Sequence, residues 1–359
     1  MKEISIKNDY KVYIDNDINK IFLSLNENKI KNSEKVFIIT DDKVYSIYED
    51  KINIFTEKLN CQIFIMSQGE KNKNYKTVES IYNFLLKNNA DRNSILVAFG
   101  GGLVGDIVGF VAATYMRGIR YISIPTTLIS QVDSSVGGKV AYNMKNIKNC
   151  IGCFYDPSFV FISVNYLSTL DQLQFLSGLG EVIKYGLIKS PDLIKYIREN
   201  LKSIMEFESD KLTHIVKECI KIKASVVEED YTDLGYRNIL NFGHTIGHAI
   251  EIDSKYKIPH GIAISLGSLC AIKLSEKRLG LDSKLYSEIE NLYKKIGIPV
   301  SYKVDNIKRF LYSINHDKKM ENNKIKFTLL EGIGMSKMKI DVKEDEIIWA
   351  LGESIGRSF

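Results

Sequence analysis

Histidine is scarce in this chain, with five in 359 residues. Cysteine is equally scarce: five in all, an odd number in a long sequence. That excludes a disulfide framework as the main source of stability. Cys150 and Cys153 form a C-x-x-C in "NCIGCF". No second pair and no thioredoxin-like surroundings accompany it, so it reads as a coincidence in a small-residue loop. No apolar run approaches the ~20 residues needed to span a bilayer. The start, "MKEISIKNDYKVYI", alternates like a strand and lacks the basic and apolar regions of a secretory signal, so a cytoplasmic protein is expected. Charge of one sign is not in excess either. The chain has 49 basic and 44 acidic residues, net +5, with the lysines dispersed rather than in a block. Charge therefore points to neither nucleic acid nor a membrane surface as a partner. The abundance of Lys, Asn and Ile reads as a genome-composition bias and carries no function. Neither internal repeats nor low-complexity segments are found.

What is present has the composition of a soluble globular protein, 45% hydrophobic and 26% charged. The length favours two domains. In the first part, the short β-branched runs "KVFIIT", "CQIFIM", "SILVAFG" and "YISIPT" alternate with helical patterns such as "KTVESIYNFLLKNN". This rhythm predicts an α/β domain with a mostly parallel sheet, over residues 1–165. From 166 to 359 the pattern turns helical, with "KIKFTLLEGIGMSKMKI" the one expected hairpin. A mainly α-helical second domain follows, and a cleft between domains is the default place for a site.

Three motifs carry chemistry. The first is "SILVAFGGGLVGDIVGF", a strand, then Gly100, Gly101 and Gly102, then Gly105, Asp106 and a helix. Glycines there let a phosphate approach free N–H groups at the helix start, although the run is not G-x-G-x-x-G and a tight turn that binds nothing fits it too. Asp41 ends the strand "KVFII", where a carboxylate suits a ribose hydroxyl or caps the next helix. Glu70 and Lys73 in "QGEKNK" are a capping pair or cofactor contacts.

The second motif is "NFGHTIGHAIEIDSKYKIPHG", which holds three of the five histidines, His244, His248 and His260. His244 and His248 are four apart and share a helix face. Glu181 in "GLGEVIKYG" interrupts an apolar helix, with Lys184 one turn on, and a charge on such a face needs a partner or a metal. Three N/O ligands drawn from these residues leave an open coordination position, which points to a catalytic ion. The third is a set of cations and small residues. Asp133, Lys139, Lys148 and Asn149 lie in "QVDSSVGGKVAYNMKNIKNCIG", Lys223 and Arg237 flank the histidines, and Lys318 and Lys319 lie in "HDKKM". Together they suit an anionic substrate with a phosphate and a carboxylate, although for any single lysine a solvated face is the stronger reading.

With these residues in view, the chain resembles the 3-dehydroquinate synthases, within the sugar-phosphate cyclases. "FGGGLVGDIVGFVAATYMRG", "PTTLISQVDSSVGGK", "KNCIG", "GEVIKYG", "RNILNFGHTIGHAIE", "HG" and "DKK" occur in the family's order over nearly the whole chain. The resemblance implies bound NAD, one divalent metal ion (usually zinc, with cobalt possible) and a homodimer. It implies Glu181, His244 and His260 as metal ligands, with His248 a nearby active-site histidine. Lys139, Lys184, Lys223, His248 and Asn241 fall on catalytic positions. Asp133, Lys139, Lys148, Asn149, Arg237, Asn241 and Lys318 or Lys319 fall on substrate positions, and Arg117 on the one that reaches the partner's phosphate site. Asp41, Glu70, Lys73, Gly101, Gly102, Asp106, Thr126, Thr127, Lys139, Lys148 and Thr169 fall on cofactor positions.

This chain departs from the family at four places. Ile262 replaces a Glu after "HG", Ile147 a Gly, and Asp171 the Pro of "TLP"; Lys43 takes a usually neutral position. Ile262 removes a carboxylate near the metal, so weaker metal binding is expected. The implied reaction turns 3-deoxy-arabino-heptulosonate 7-phosphate into 3-dehydroquinate and phosphate. It proceeds through transient oxidation at C5, elimination of phosphate, re-reduction, ring opening and an intramolecular aldol closure. The rivals are a sister cyclase making an inosose or valiolone, an NAD-dependent polyol dehydrogenase, and a non-catalytic metal- and nucleotide-binding regulator. Lys148, Asn149, Arg237 and Asn241 favour the first reading, because they suit a substrate with both carboxylate and phosphate.

Overall fold

The computed structural model describes residues 1–7, 10–30, 34–59, 61–145, 147–317 and 325–356. The chain divides into two compact units, Met1–Leu170 with Leu212–Glu228, and Asp171–Lys211 with Glu229–Phe359. Contiguous domains meeting at 165 and 166 were expected; here a stretch of the helix Ser209–Glu229 belongs to the first unit. Polar contacts within that unit hold it. Lys223 Nζ donates to Asp133 Oδ1 at 2.5 Å, and the Lys7 N–H donates to Glu228 Oε1 at 3.1 Å.

Among the described residues the strands are β1 (Lys2–Ile6), β2 (Tyr10–Ile14), β3 (Val36–Asp41), β4 (Cys61–Met66), β5 (Ile95–Gly100), β6 (Arg120–Pro125), β7 (Lys139–Met144), β8 (Ile147–Phe154), β9 (Phe159–Ile162), β10 (Ile325–Gly332) and β11 (Met335–Val342). The first unit is built on a sheet of order β1-β2-β9-β6-β5-β3-β4, parallel at every pairing except β1 with β2. Its central strands are apolar on both faces, as a doubly covered parallel sheet requires. Val36, Ile38, Ile95, Val97 and Phe99 face one core with Tyr48, Ile52 and Phe55. Phe37, Ile39, Leu96 and Ala98 face the other with Val78, Ile81, Leu85, Ile107 and Val111. The period of two along each strand decides which core a side chain enters.

The order of the sheet has a functional consequence. From β3 the chain moves outward to β4, then returns to β5 on the other side of β3. The crevice beyond the carboxyl ends of β3 and β5 is thus the topological switch point, where open α/β sheets bind ligands. Asp41 ends β3 and Gly100 ends β5.

β7 and β8 pair as an antiparallel hairpin. This corrects the expected small-residue loop: Cys150 and Cys153 lie on β8, both as free thiols. The hairpin packs on the glycine helix Gly102–Thr114, and a Cβ on Gly109 would come 2.3 Å from Val140 Cγ1.

The second unit is mainly helical, and its one described hairpin, β10 with β11, is the expected one. Its helix Gln172–Lys189 is buried from Phe175 to Ile188, which explains its apolar character all round. Asp171, the departure from "TLP", caps that helix by accepting from the Gln174 N–H at 2.9 Å. No helix among the described residues is long and apolar enough to cross a membrane.

Candidate functional site

In the first unit the site grows from the switch point. Helix Gly102–Thr114 starts without a side-chain cap, at Gly101. Its first N–H groups have no partner within the helix, and the helix dipole adds partial positive charge there. A Cβ on Gly101 would press on Thr127, and one on Gly102 on Ser134 Oγ at 2.9 Å. A Cβ on Gly105 would meet nothing within 4 Å. Packing does not explain glycine at 105, and the space beside it is open. Gly105 and Asp106 line a small cavity with Tyr121, Ser134, Ser135 and Lys139.

Asp106 belongs to a network. Lys73 Nζ donates to Asp106 Oδ2 and to Asn149 Oδ1, both at 2.5 Å. Asn143 connects the rest: its Nδ2 donates to Glu70 Oε1 at 2.7 Å, its Oδ1 accepts from the Asn149 N–H at 2.8 Å, and its N–H donates to the Lys73 carbonyl at 2.9 Å. Burial pushes the Asp106 carboxyl up, and Lys73 pulls it part of the way back. Four expected residues, Glu70, Lys73, Asp106 and Asn149, are thus brought together by Asn143, which the sequence reading missed. Lys223 joins Asp133, donating to its carbonyl as well as its carboxylate.

The other expected residues of this unit are placed as follows. Asp41 is a helix cap, its Oδ1 accepting from the Val44 N–H at 2.9 Å. Thr126 is buried and its N–H donates to the Gly100 carbonyl at 3.0 Å. Thr127 shares a hydroxyl contact with Ser130 at 2.8 Å. The Thr169 hydroxyl donates to the Tyr166 carbonyl at 3.0 Å and meets the Tyr48 hydroxyl. Lys148 is exposed on β8. Arg117 is exposed beyond the far end of the glycine helix; with Met116 it forms a consecutive left-handed pair at φ 66° and 49°. Lys318 and Lys319 lie outside the described residues.

The second unit holds the histidine cluster, and glycines assemble it. Helix His260–Leu279 crosses helix Gln172–Lys189 so closely that a Cβ on Gly180 would come 2.3 Å from the Gly261 carbonyl oxygen, and one on Gly261 1.8 Å from that of Ser177. These glycines directly adjoin Glu181 and His260, so the crossing brings carboxylate and imidazole together. A second crossing does the same for His244. Gly243, in the left-handed conformation at φ 76°, precedes helix His244–Asp253, and a Cβ on Gly267 would lie 2.1 Å from its carbonyl oxygen.

Glu181 is fully buried, and its Oε1 lies 3.3 Å from His260 Nε2 and 3.8 Å from His244 Nε2. Lys184 Nζ stands 2.6 Å from Oε2. Neither oxygen has a hydrogen bond of acceptable angle, so these contacts are electrostatic. Burial alone would raise the Glu181 carboxyl; Lys184, then His260 and His244, reverse this and hold it well below the usual carboxylate range. Burial, then the charge of Lys184, keeps His244 well below the ordinary imidazole value, and thus neutral. Burial opposes charge on His260 too, but Glu181 and Glu251 overcome it and push it up to about 10.

The group fits a divalent cation. The ligand atoms of Glu181, His244 and His260 lie within 4.8 Å of one another, and one nitrogen of each imidazole is occupied elsewhere. His244 Nδ1 faces the Phe242 carbonyl at 3.1 Å, and His260 Nδ1 faces Glu251 Oε2 at 3.1 Å. Both Nε2 atoms are left for the carboxylate side. The His248 ring stands 5.4 Å from that of His244 and 5.9 Å from that of His260, centroid to centroid. Ile262 offers no carboxylate, but the buried carboxylate of Glu251, on another helix, reaches His260.

On the turn before His244, the backbone N–H of Arg237 donates to Asp230 Oδ2 at 2.9 Å, and its guanidinium donates to the Tyr231 carbonyl at 2.8 Å. Asn241 Nδ2 donates to Asn238 Oδ1 at 3.1 Å. β10 anchors the same turn, Thr328 Oγ1 donating to the Asn238 carbonyl at 2.9 Å.

A sequence model described as 3-dehydroquinate synthase N-terminal matches residues 63–177, and its C-terminal counterpart matches residues 178–320. The chain belongs to the 3-dehydroquinate synthase family. It is 56% identical over 357 residues to the 3-dehydroquinate synthase of Clostridium tetani, covering 99% of this chain and 95% of that relative. Among solved structures, it is similar to a 2-deoxy-scyllo-inosose synthase complexed with carbaglucose-6-phosphate, NAD+ and Co2+. The TM-score there is 0.89 at 27% identity, covering 99% of this chain and all of that one. It also shares the fold of the 2-epi-5-epi-valiolone synthase of Streptomyces hygroscopicus, with a TM-score of 0.87 at 23% identity over 98% of this chain and 97% of that one. The 3-dehydroquinate synthase family thus stands above the sister cyclases in sequence, while fold is common to all three.

Proposed function

We infer that this chain has the activity of its family, the conversion of 3-deoxy-D-arabino-heptulosonate 7-phosphate to 3-dehydroquinate and phosphate, with NAD and one divalent ion. The observation that carries the chemistry is the convergence of two imidazole Nε2 atoms on the buried carboxylate of Glu181. Glu181, His244 and His260 hold the ion. A bound ion supplies Lewis acidity toward substrate hydroxyls, and NAD supplies a hydride acceptor that each turnover restores.

The residues of this chain do the rest. Lys184 keeps Glu181 ionised, and His248 manages protons beside the ligands. The open space at Gly105 and the free N–H groups of helix Gly102–Thr114 receive the cofactor, and the network of Lys73, Asp106, Asn143 and Asn149 shapes its surroundings. Lys139 and Arg237 neutralise substrate phosphate, with Lys148, Asn149 and Asn241 as further polar contacts. Lys223 holds Asp133 toward the substrate. Support for a cytoplasmic location comes from five free cysteines, and for a homodimer from family resemblance alone.

Substrate choice tests this reading. Phosphate release is expected from the heptulosonate 7-phosphate and not from glucose 6-phosphate or sedoheptulose 7-phosphate. Preference for a phosphate lacking the carboxylate would move the chain to the sister cyclases, and steady NADH accumulation would move it to the dehydrogenases.

A further inference from the structure

Two groups of potential ligands overlap in the second unit. One is Glu181, His244 and His260; the other is His248, Glu251 and His260. Both need His260, whose two ring nitrogens point in different directions. Nε2 lies 3.3 Å from Glu181 Oε1, and Nδ1 lies 3.1 Å from Glu251 Oε2. The ring therefore serves one group as a ligand and turns its other side to the remaining carboxylate.

The surroundings decide which. His244 Nδ1 faces the Phe242 carbonyl, an acceptor only, so it carries hydrogen and leaves a lone pair on Nε2. That lone pair points to the Glu181 side. Glu181 is fully buried, and neither of its oxygens has a well-directed hydrogen bond. Glu251 is buried too, at 8% side-chain exposure, so its carboxylate also needs a donor. The Nδ1–H of His260 supplies one, so a cation that replaces hydrogen on Nε2 of His260 meets that nitrogen beside Nε2 of His244. Glu251 is well fixed for this task. Its carbonyl accepts from the Tyr256 N–H at 2.7 Å and from Ser254 Oγ at 3.0 Å, pinning the end of helix His244–Asp253.

We propose that Glu251 is a positioning residue of the metal site: it accepts the Nδ1–H of His260 and thereby sets the tautomer and ring orientation with which His260 meets a divalent cation. It takes the role expected of the carboxylate that Ile262 lacks. The proposal rests on Glu181, His244 and His260 being the ligands.

Cobalt titration of the metal-free full chain tests it, with affinity read by chelator competition and the ligand set read from the visible bands of bound Co2+. Glu251→Ala is expected to weaken Co2+ binding about 10–100-fold with the bands unmoved. Glu251→Gln, whose amide oxygen still accepts from Nδ1, is expected to recover most of that loss. Affinity within about twofold of the unsubstituted chain for Glu251→Ala would overturn the proposal. So would bands that shift on substitution, because Glu251 would then be a ligand itself. Should Glu251→Ala not fold without metal, Glu251→Gln decides: a modest loss with unmoved bands supports the proposal, and a band shift or no loss at all overturns it. Glu181→Ala separates the two levels, since full Co2+ affinity in that variant removes the ligand set on which the proposal rests.

Discussion

The two units build their candidate sites by different means. In the parallel-sheet unit the site opens on backbone and space, namely strand ends, an uncapped helix start and a glycine at 105 whose Cβ would meet no atom, with the ion pair of Lys73 and Asp106 alongside. In the helical unit it is made of buried side-chain charge, drawn together where glycines let helices touch. The first arrangement suits an extended ligand with phosphates, which backbone N–H groups can follow. The second suits a small, dense charge, which only side-chain ligands at short range can hold. Glycine therefore means different things in the two units: at 105 it leaves a vacancy, and at 180 and 261 it removes one.

That contrast can be broken most sharply at Gly261. A Cβ there would lie 1.8 Å from the Ser177 carbonyl oxygen, and backbone cannot yield cheaply. Gly261→Ala is expected to cost more than about 4 kcal/mol and to abolish metal binding, as read by thermal unfolding and metal content. A stable variant that still binds metal would show the crossing to be loose. Next is Glu181→Ala, which removes a proposed ligand and leaves Lys184 buried without its carboxylate. Loss of bound metal with about 3–5 kcal/mol of destabilisation is expected in denaturant titration. Unchanged metal content would take Glu181 out of the site.

In the first unit the effects are smaller and fall on binding. Lys73→Met frees Asp106 and Asn149 together. NAD affinity should fall, with a stability cost of about 1.5–3 kcal/mol, by calorimetry and denaturant titration; NAD binding at full strength would make the network purely structural. Lys139→Ala should lower kcat/KM by about 1.5–3 kcal/mol, or ~10–150-fold, without changing stability. Unchanged turnover would remove Lys139 from the phosphate contacts. Smallest in stability is Gly105→Ala, which meets no atom and gains about 1 kcal/mol of helix propensity. It should unfold no earlier than the unsubstituted chain and yet bind NAD less tightly. Earlier unfolding would show that the fold itself needs Gly105.

The same contrast explains what was legible in the sequence. β3, β5 and β6 were readable because strands buried on both faces are continuous apolar runs, and the glycines at the end of β5 stand out against them; β4, at the sheet edge and half-buried, was readable from its apolar run alone. Glu181 was readable because it interrupts an apolar helix. The hairpin β7–β8 was not: β8, "IKNCIGCF", is mostly exposed and short of β-branched residues, and its partner β7 is shaped by packing on a glycine helix distant in sequence. Asn143 and Glu251 were missed for a related reason. Each acts by accepting or donating a hydrogen bond to a residue whose neighbourhood only the folded chain creates. Three histidines in one window pointed to a metal site; the carboxylate proposed to orient one of them carried no such signal. Asp41 shows the reverse limit, since a strand-end carboxylate fits ribose and a helix start equally, and the cap is what its bond to the Val44 N–H displays.

The most direct test of the central claim is phosphate release from 3-deoxy-D-arabino-heptulosonate 7-phosphate with trace NAD, with and without a chelator. Many phosphates per NAD, no NADH build-up, and arrest on chelation with recovery on adding Zn2+ or Co2+ are the expected result. Release that continues undiminished in the metal-free chain would contradict the account.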